Sequence, residues 1–267
     1  MIPASRSQVE TGLTLDRVRD YWDNTHDAYL THVGTTFQAG RIAIGSSARE
    51  SNLWLARAAG LATGQQVLDA GCGVCGPSID IARHIPGLRI VGITLSSRQA
   101  TTAARLVRDA CLAGRIRVVN GDYHALPFPD RTFDAVLFLE SLGYGINLTG
   151  LILSVFHVIR PGGSLYVKDV FRRDRLWSDQ EARELAEFDQ AYSQRTPTIH
   201  DCIEAASAAG FESIQSRELS NVTTAHAHQA MFDDANAKTL SAFGRVHYRR
   251  HTCLPVYFAE LTARRPR

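Results

Sequence analysis

From Gln66 onward, apolar positions alternate between two periods. QVLDA (66–70), RIVGITL (89–95), RIRVVNGD (115–122), AVLFLES (135–141) and SLYVKDVF (164–171) are short apolar runs of strand length. Between them, PSIDIARHI (77–85), SSRQATTAARLVRDACLAG (96–114) and LTGLILSVFHVIR (148–160) carry apolar residues at helical spacing, with Ser96 available to cap the second. PGG at 161–163 predicts a turn into the fifth strand. Strands that alternate with helices imply a mostly parallel sheet covered on both faces, and right-handed crossovers make it doubly wound.

The flanks read differently. Thr14 can cap a helix LDRVRDYWDNTHDAYL, and a second helix is predicted from about Ser47 to Ala59. HVGTTFQAGR between them is glycine-punctuated and aromatic, more like a functional loop than a connector. After Phe171, helices are expected near 179–193 and 200–209, then a strand-like FESIQSREL. A mixed helical stretch over about 224–243 precedes a closing strand in LPVYFAELTARR. The expected division is a helical segment over 1–63 and an α/β domain over 64–267, with cap insertions in about 172–250.

Composition narrows the partners. With 29 basic and 27 acidic residues the net charge is +2, which gives no general attraction to nucleic acid or membrane and leaves a small molecule as the expected partner. No apolar run approaches the roughly 20 residues of a membrane helix, and the start MIPASRSQVE has no signal-like apolar core, so the expected location is cytoplasmic. Five scattered cysteines do not read as a disulfide framework. Cys72 and Cys75 form a C-x-x-C, but it has no second pair and lies inside a glycine-rich turn, so no metal is expected there. A homo-oligomer stays open.

That turn is VLDAGCGVCG, Val67 to Gly76, where a strand ends and a helix begins. Glycines there permit positive φ and let a ligand approach bare backbone, and the helix N-terminus offers unpaired N–H groups. Gly71, Gly73 and Gly76 spell G-x-G-x-x-G, which alone also fits a dinucleotide site. A dinucleotide enzyme would place an acid at the end of the second strand, where this chain has GITLS.

Asp69 before the glycines, NGDYHALPFPDRTFDAV and RPGG complete a set that resembles class I S-adenosylmethionine-dependent methyltransferases over about Leu61 to Phe171. GITLSxxQ further resembles the subgroup holding sterol, tocopherol and prenyl diphosphate C-methyltransferases, cyclopropane fatty-acid synthases and some alkaloid N-methyltransferases. The resemblance implies an α/β, doubly wound Rossmann-like fold with an N-terminal helical lid and a C-terminal antiparallel closing strand. It implies S-adenosylmethionine as cofactor. Gly71 and Gly73 would line its methionine part, with Asp69 and Cys72 also at the cofactor, and Thr94, Leu95 and Gln99 would flank its ribose and adenine. Gly121, Asp122 and Tyr123 would meet the adenine, and Glu140 and Tyr21 would lie near the sulfonium.

The acceptor is less constrained. Glu140-Ser141 resembles the pairing in geranyl diphosphate 2-C-methyltransferase, and sterol C-methyltransferases also place an acid there. Attack by an alkene on a methyl group leaves a carbocation, which calls for a carboxylate and aromatic walls. One carboxylate ~4 Å from a cation at an effective dielectric of ~20 contributes about 4 kcal/mol, roughly a thousandfold in rate. Glu140 is the candidate, with Tyr21 and Phe37 as aromatic catalytic partners; a purely orienting role for Glu140 stays open. Trp22, His32, Gln38 and Tyr144 are expected at the substrate. If the acceptor carries a diphosphate, Arg41, Lys168, Arg172 and Tyr248 are the candidates to meet it, together with Mg²⁺. The alternatives are O- or N-methylation with His32, His124 or His247 as base, or cyclisation on the same fold without methyl transfer.

Overall fold

The computed structural model describes residues 12–38, 40, 47–219 and 253–267. Its helices are α1 (Leu15–His32), α2 (Ala48–Ala58), α3 (Gly76–His84), α4 (Ser97–Asp109), α5 (Leu148–Val158), α6 (Asp179–Tyr192) and α7 (Ile199–Ala209). Its strands are β1 (Gln66–Ala70), β2 (Arg89–Thr94), β3 (Ile116–Asn120), β4 (Phe133–Leu139), β5 (Ile159–Arg172), β6 (Glu212–Glu218) and β7 (Val256–Arg264). The helix starts follow local chemistry. Thr14 and Ser96 accept from the backbone three residues on, and Ser47 and Ser178 form full capping boxes with Glu50 and Glu181.

The strands order as β3-β2-β1-β4-β5-β7-β6, parallel through β5, with β7 antiparallel to both β5 and β6. The predicted Rossmann-like fold with an antiparallel closing strand is therefore present. β5 differs from expectation: it starts at Ile159, so Pro161–Gly163 lie within the strand instead of turning into it. A register shift against β4 between Phe133 and Ala135 absorbs the extra residues. Among the described residues no helix is long and apolar enough to cross a membrane. The stretch predicted as mixed helix over 224–243 lies outside the described residues.

Along β4, side chains alternate between two cores. Phe133, Val136 and Phe138 pack with α5 and α7 on one face, while Ala135, Leu137 and Leu139 pack with α2, α3 and α4 on the other. Both faces being dry explains why the strands read as near-continuous apolar runs. A third cluster, Tyr21 and Tyr29 of α1 with Leu185, Phe188 and Tyr192 of α6, lies apart from the sheet core and joins the two flanking segments. β1 and β4 are neighbours while β2 and β3 lead away, so a crevice opens at the carboxyl ends of β1 and β4, the usual ligand site of such sheets.

Candidate active site

Gly71 leaves β1 with φ +83°, and a Cβ there would stand 2.4 Å from the Ser141 Cβ, so only glycine fits. Ser141 in turn donates to the Ala70 carbonyl at 2.5 Å, tying the ends of β1 and β4 together. Asp69 is buried and accepts from Ser78 at 2.5 Å; burial pushes its carboxyl up to about 6. A hydrogen bond with Cys75, together with burial, pushes the Cys72 thiol up and keeps it un-ionised.

A cleft of about 760 Å³ opens over this turn. Asp69, Gly71, Cys72, Gly73, Thr94, Leu95, Gln99, Asp122, Tyr123 and Glu140, all expected at a cofactor, line it together. Thr94 donates to Gln99 at 2.7 Å, and Tyr123 donates to the Ser141 carbonyl at 2.9 Å. Asp122 receives His124 Nδ1 at 2.6 Å, and His124 Nε2 accepts from the Ile146 backbone at 3.0 Å. That pattern fixes the proton on Nδ1 and leaves neither ring nitrogen free to act as a base.

The cleft is roofed by α1 and the segment after it. Ser96 donates to Asp23, Arg98 pairs with Asp27 at 2.8 Å, and His26 meets Thr102 at 2.9 Å, which pins α1 to α4. Gln38 is 2% exposed and lines the cleft, yet both its amide nitrogen and its oxygen lack any hydrogen-bond partner. An unpaired buried amide costs free energy, so a ligand with complementary groups is the natural partner.

Behind the cleft lies a second cavity of about 560 Å³. Four residues line both spaces and form their junction: Trp22, Phe37, Glu140 and Tyr144. Trp22 stacks on Phe37 at 6.0 Å and meets Tyr144 edge-on at 5.4 Å. Tyr29, Phe188, Tyr192 and Phe258 add further rings to the inner cavity, and Asp169 adds a second carboxylate. Glu140 adopts φ +58°, a left-handed conformation unusual for this residue type and often found at functional positions. Its Oε1 accepts from the Gly40 backbone at 3.0 Å and from the fully buried Lys168 ammonium, which also lies 4.9 Å above the Phe258 ring. Gly40 must be small: a Cβ there would come within 2.5 Å of Phe258 and 2.9 Å of Lys168 Nζ.

Several expected residues are placed elsewhere. Tyr21 lines neither cavity; its hydroxyl meets that of Tyr29 at 2.7 Å behind Trp22, so Trp22 is the ring of that pair which faces the cleft. His32 is the last residue of α1 and is exposed, and it lines neither cavity. Arg172 lines neither cavity and pairs with Asp201 at 3.5 Å. Lys168 reaches Glu140 rather than open space. Gly121 contributes backbone only, donating to the Thr94 carbonyl at 2.9 Å beside Asp122. Arg41, His247 and Tyr248 lie outside the described residues. Sequence reasoning missed Asp169, Phe188, Tyr192 and Phe258; the i, i+4 spacing of Phe188 and Tyr192 was the available signal for one aromatic helix face.

The strand order, the glycine turn and the cleft at the β1–β4 switch point are those of a Rossmann-like fold, and residues 67–163 match the family model described as a methyltransferase domain. The chain is 30% identical over 211 residues to a sterol 24-C-methyltransferase of Gibberella zeae, covering 75% of this chain and 54% of that protein. It thus spans about half the length of that relative. In three dimensions it superimposes on the [4+2]-cyclase SpnF with TM-score 0.76 and 23% identity, covering 95% of this chain and 96% of that one. It also superimposes on geranyl diphosphate C-methyltransferase from Streptomyces coelicolor A3(2), solved with Mg²⁺, geranyl diphosphate and S-adenosyl-L-homocysteine. There the TM-score is 0.73 at 16% identity, with 94% and 97% covered. These structural likenesses concern the fold.

Proposed function

We propose that this chain is an S-adenosylmethionine-dependent C-methyltransferase whose acceptor is an alkene of isoprenoid or sterol type held in the inner cavity. The observation that carries the reading is the junction: a carboxylate and three aromatic rings, Glu140, Trp22, Phe37 and Tyr144, border both spaces. The cleft residues fit the cofactor. Gly71 leaves room for it, Gln38 has both amide ends to offer, and Asp122 and Gln99 line the cleft but not the inner cavity. When bound, the cofactor supplies an electrophilic methyl group on a sulfonium.

The chain's own residues then orient, exclude water and handle charge. Trp22, Phe37 and Tyr144 wall off the methyl path and turn ring faces toward developing positive charge. Glu140 lines both spaces while Lys168 lines neither, so the ion pair presents its negative end to the junction. Because Lys168 offsets much of that charge, the contribution of Glu140 falls below that of an unpaired carboxylate. α1 acts as a lid, and α6 caps the acceptor through Phe188 and Tyr192. A histidine base is disfavoured by the engagement of both His124 nitrogens and the exposure of His32. Of the residues named for a diphosphate, Lys168 and Arg172 are paired, to Glu140 and Asp201, while Arg41 and Tyr248 lie outside the described residues.

The test is a product screen with methyl-labelled S-adenosylmethionine and farnesol, cycloartenol, geranyl diphosphate and a prenylated indole, with phenol and amine controls, each with and without Mg²⁺. Label on an alkene carbon, matched by S-adenosylhomocysteine, is the expected result. Label only on phenol or amine would overturn the reading. An acceptor rearranged without S-adenosylhomocysteine would instead establish a cyclase.

A further inference from the structure

The inner cavity holds a second carboxylate that the reading above leaves without a task. Asp169 follows Lys168 on β5, is 3% exposed, and lines the inner cavity but not the cofactor cleft. Glu140 borders both. The two acids therefore stand at successive depths, Glu140 where a methyl group would cross and Asp169 on the acceptor's side only.

Their surroundings differ in kind. Glu140 Oε1 already holds the Lys168 ammonium and the Gly40 N–H. That oxygen is already committed to two donors. Asp169 Oδ2 accepts from the Leu142 backbone and its Oδ1 from the Val170 backbone, each at 2.8 Å. An ionised carboxylate has about four acceptor positions, so two remain for the cavity. The groups that face it electrostatically are Glu140 and Lys168, with the Tyr123, Tyr144 and Cys202 side chains as neutral neighbours. Burial first, then the nearby Glu140 charge, pushes the Asp169 carboxyl up to about 7.

We propose that Asp169, not Glu140, takes the proton that leaves the acceptor, which makes it a second catalytic carboxylate; this rests on the alkene-methylation reading. The alkene π pair forms the new carbon–carbon bond as the sulfur–methyl bond breaks, its electrons staying on sulfur. The neighbouring carbon becomes cationic. A C–H bond beside it then breaks, its pair closes the product double bond, and the proton goes to an Asp169 carboxylate oxygen. Cation and anion are consumed together, so the dry cavity ends with no net new charge. The proton leaves to solvent when product departs. Glu140, paired with Lys168, faces the methyl path throughout.

Two experiments test this. In the first, Asp169→Asn is compared with wild type on the alkene acceptor that wild type methylates best. The expected result is a kcat loss of about 100-fold or more, with KM for S-adenosylmethionine within about twofold. The rise of wild-type kcat with pH through about 7 should vanish. A purely structural role would not remove that limb. Wild-type methylation with an equally fast Asp169→Asn overturns this inference alone, while no alkene methylation by wild type overturns the functional reading instead.

The second experiment needs no turnover and no Asp169 variant. N,N-dimethylgeranylamine, an ammonium at the position of the cation, is titrated calorimetrically into the S-adenosylhomocysteine complex in buffers of differing ionisation heat. Near pH 7 about half a proton should be released per amine bound to wild type, because a group titrating near 7 is about half protonated there. In Glu140→Gln, which removes the charge that helps raise Asp169, the release should persist but move to lower pH. Absence of binding, absence of release, or release that disappears in Glu140→Gln would each overturn the assignment.

Discussion

Replacing Lys168 with methionine removes the ammonium from a fully buried position and leaves the Glu140 carboxylate, one-tenth exposed, facing the Phe258 ring and the Gly40 backbone. Breaking a buried pair from one side costs about 3–5 kcal/mol, because the remaining charge loses the Lys168 ammonium in a poorly solvated place. Unfolding entropy of ~2.1 cal/mol/K per residue over 267 residues is about 0.56 kcal/mol/K, so the melting midpoint should fall by about 5–9 °C. Adding Glu140→Gln to Lys168→Met removes the stranded charge. The double variant should therefore recover about 2 kcal/mol or more relative to Lys168→Met alone. The assay is differential scanning calorimetry of wild type, both single variants and the double variant at one pH. A melting midpoint for Lys168→Met within about 1 °C of wild type would refute the reasoning. So would a double variant whose loss is the simple sum of the two singles, since additive losses mean the groups do not interact.

The orphaned Gln38 amide gives a prediction of opposite sign for folding and binding. Gln38→Met should raise the stability of the ligand-free protein by about 1–3 kcal/mol and weaken S-adenosylhomocysteine about fivefold. Thermal melting and calorimetric titration read the two effects, and a destabilised variant with unchanged affinity would contradict them. Stability should also depend on pH in an unusual direction. Asp69, Asp169 and Asp189 titrate near 6, 7 and 6 in the folded chain, above the unfolded value of about 3.9, chiefly because they are buried. Between about pH 4 and 7 the folded state then binds more protons, and stability falls as pH rises. Four groups with lowered pKa values work the other way. Glu50, Glu181 and Asp201 do so chiefly below about pH 5, where they titrate in the unfolded chain, and His26 above it. Between about pH 5 and 7.5, then, His26 opposes the three buried acids. Urea midpoints should accordingly be lower at pH 7.5 than at pH 5, and a rise would refute the account.

The sheet was legible because its strands are dry on both faces and its helix caps are local. Thr14, Ser47 and Ser96 each announce a helix within three residues of its start. The cofactor turn was legible for a similar reason: Gly71 and its neighbours act through backbone conformation, which sequence records directly. The inner cavity was not. Phe188 and Tyr192 reach it only because α6 packs on α1, and Phe258 only because β7 runs beside β5, contacts between segments more than sixty residues apart. Tyr21 and Trp22 are adjacent in sequence and differ by about 100° around α1, so which ring faces the cleft depends on helix rotation that composition does not fix. Arg172 looked available as a phosphate ligand until α7 brought Asp201 to it.

The pairing of Lys168 and Asp169 on one strand shows why neighbours in sequence can hold opposite tasks. Successive side chains of β5 leave opposite faces of the sheet. Lys168 goes to Glu140 at the end of β4, and Asp169 goes to the turn that begins at Leu142. The ammonium thereby pairs with Glu140 and reaches Asp169 only through the weaker long-range field. A single strand end thus creates two carboxylates in unlike environments beside one cavity, the arrangement that separates charge stabilisation from proton transfer. Exchanging the two residues would leave composition and net charge unchanged yet direct the cation into the Leu142 turn, where two backbone N–H donors wait for an anion. The order Lys168-Asp169, rather than the presence of both, is what the site requires.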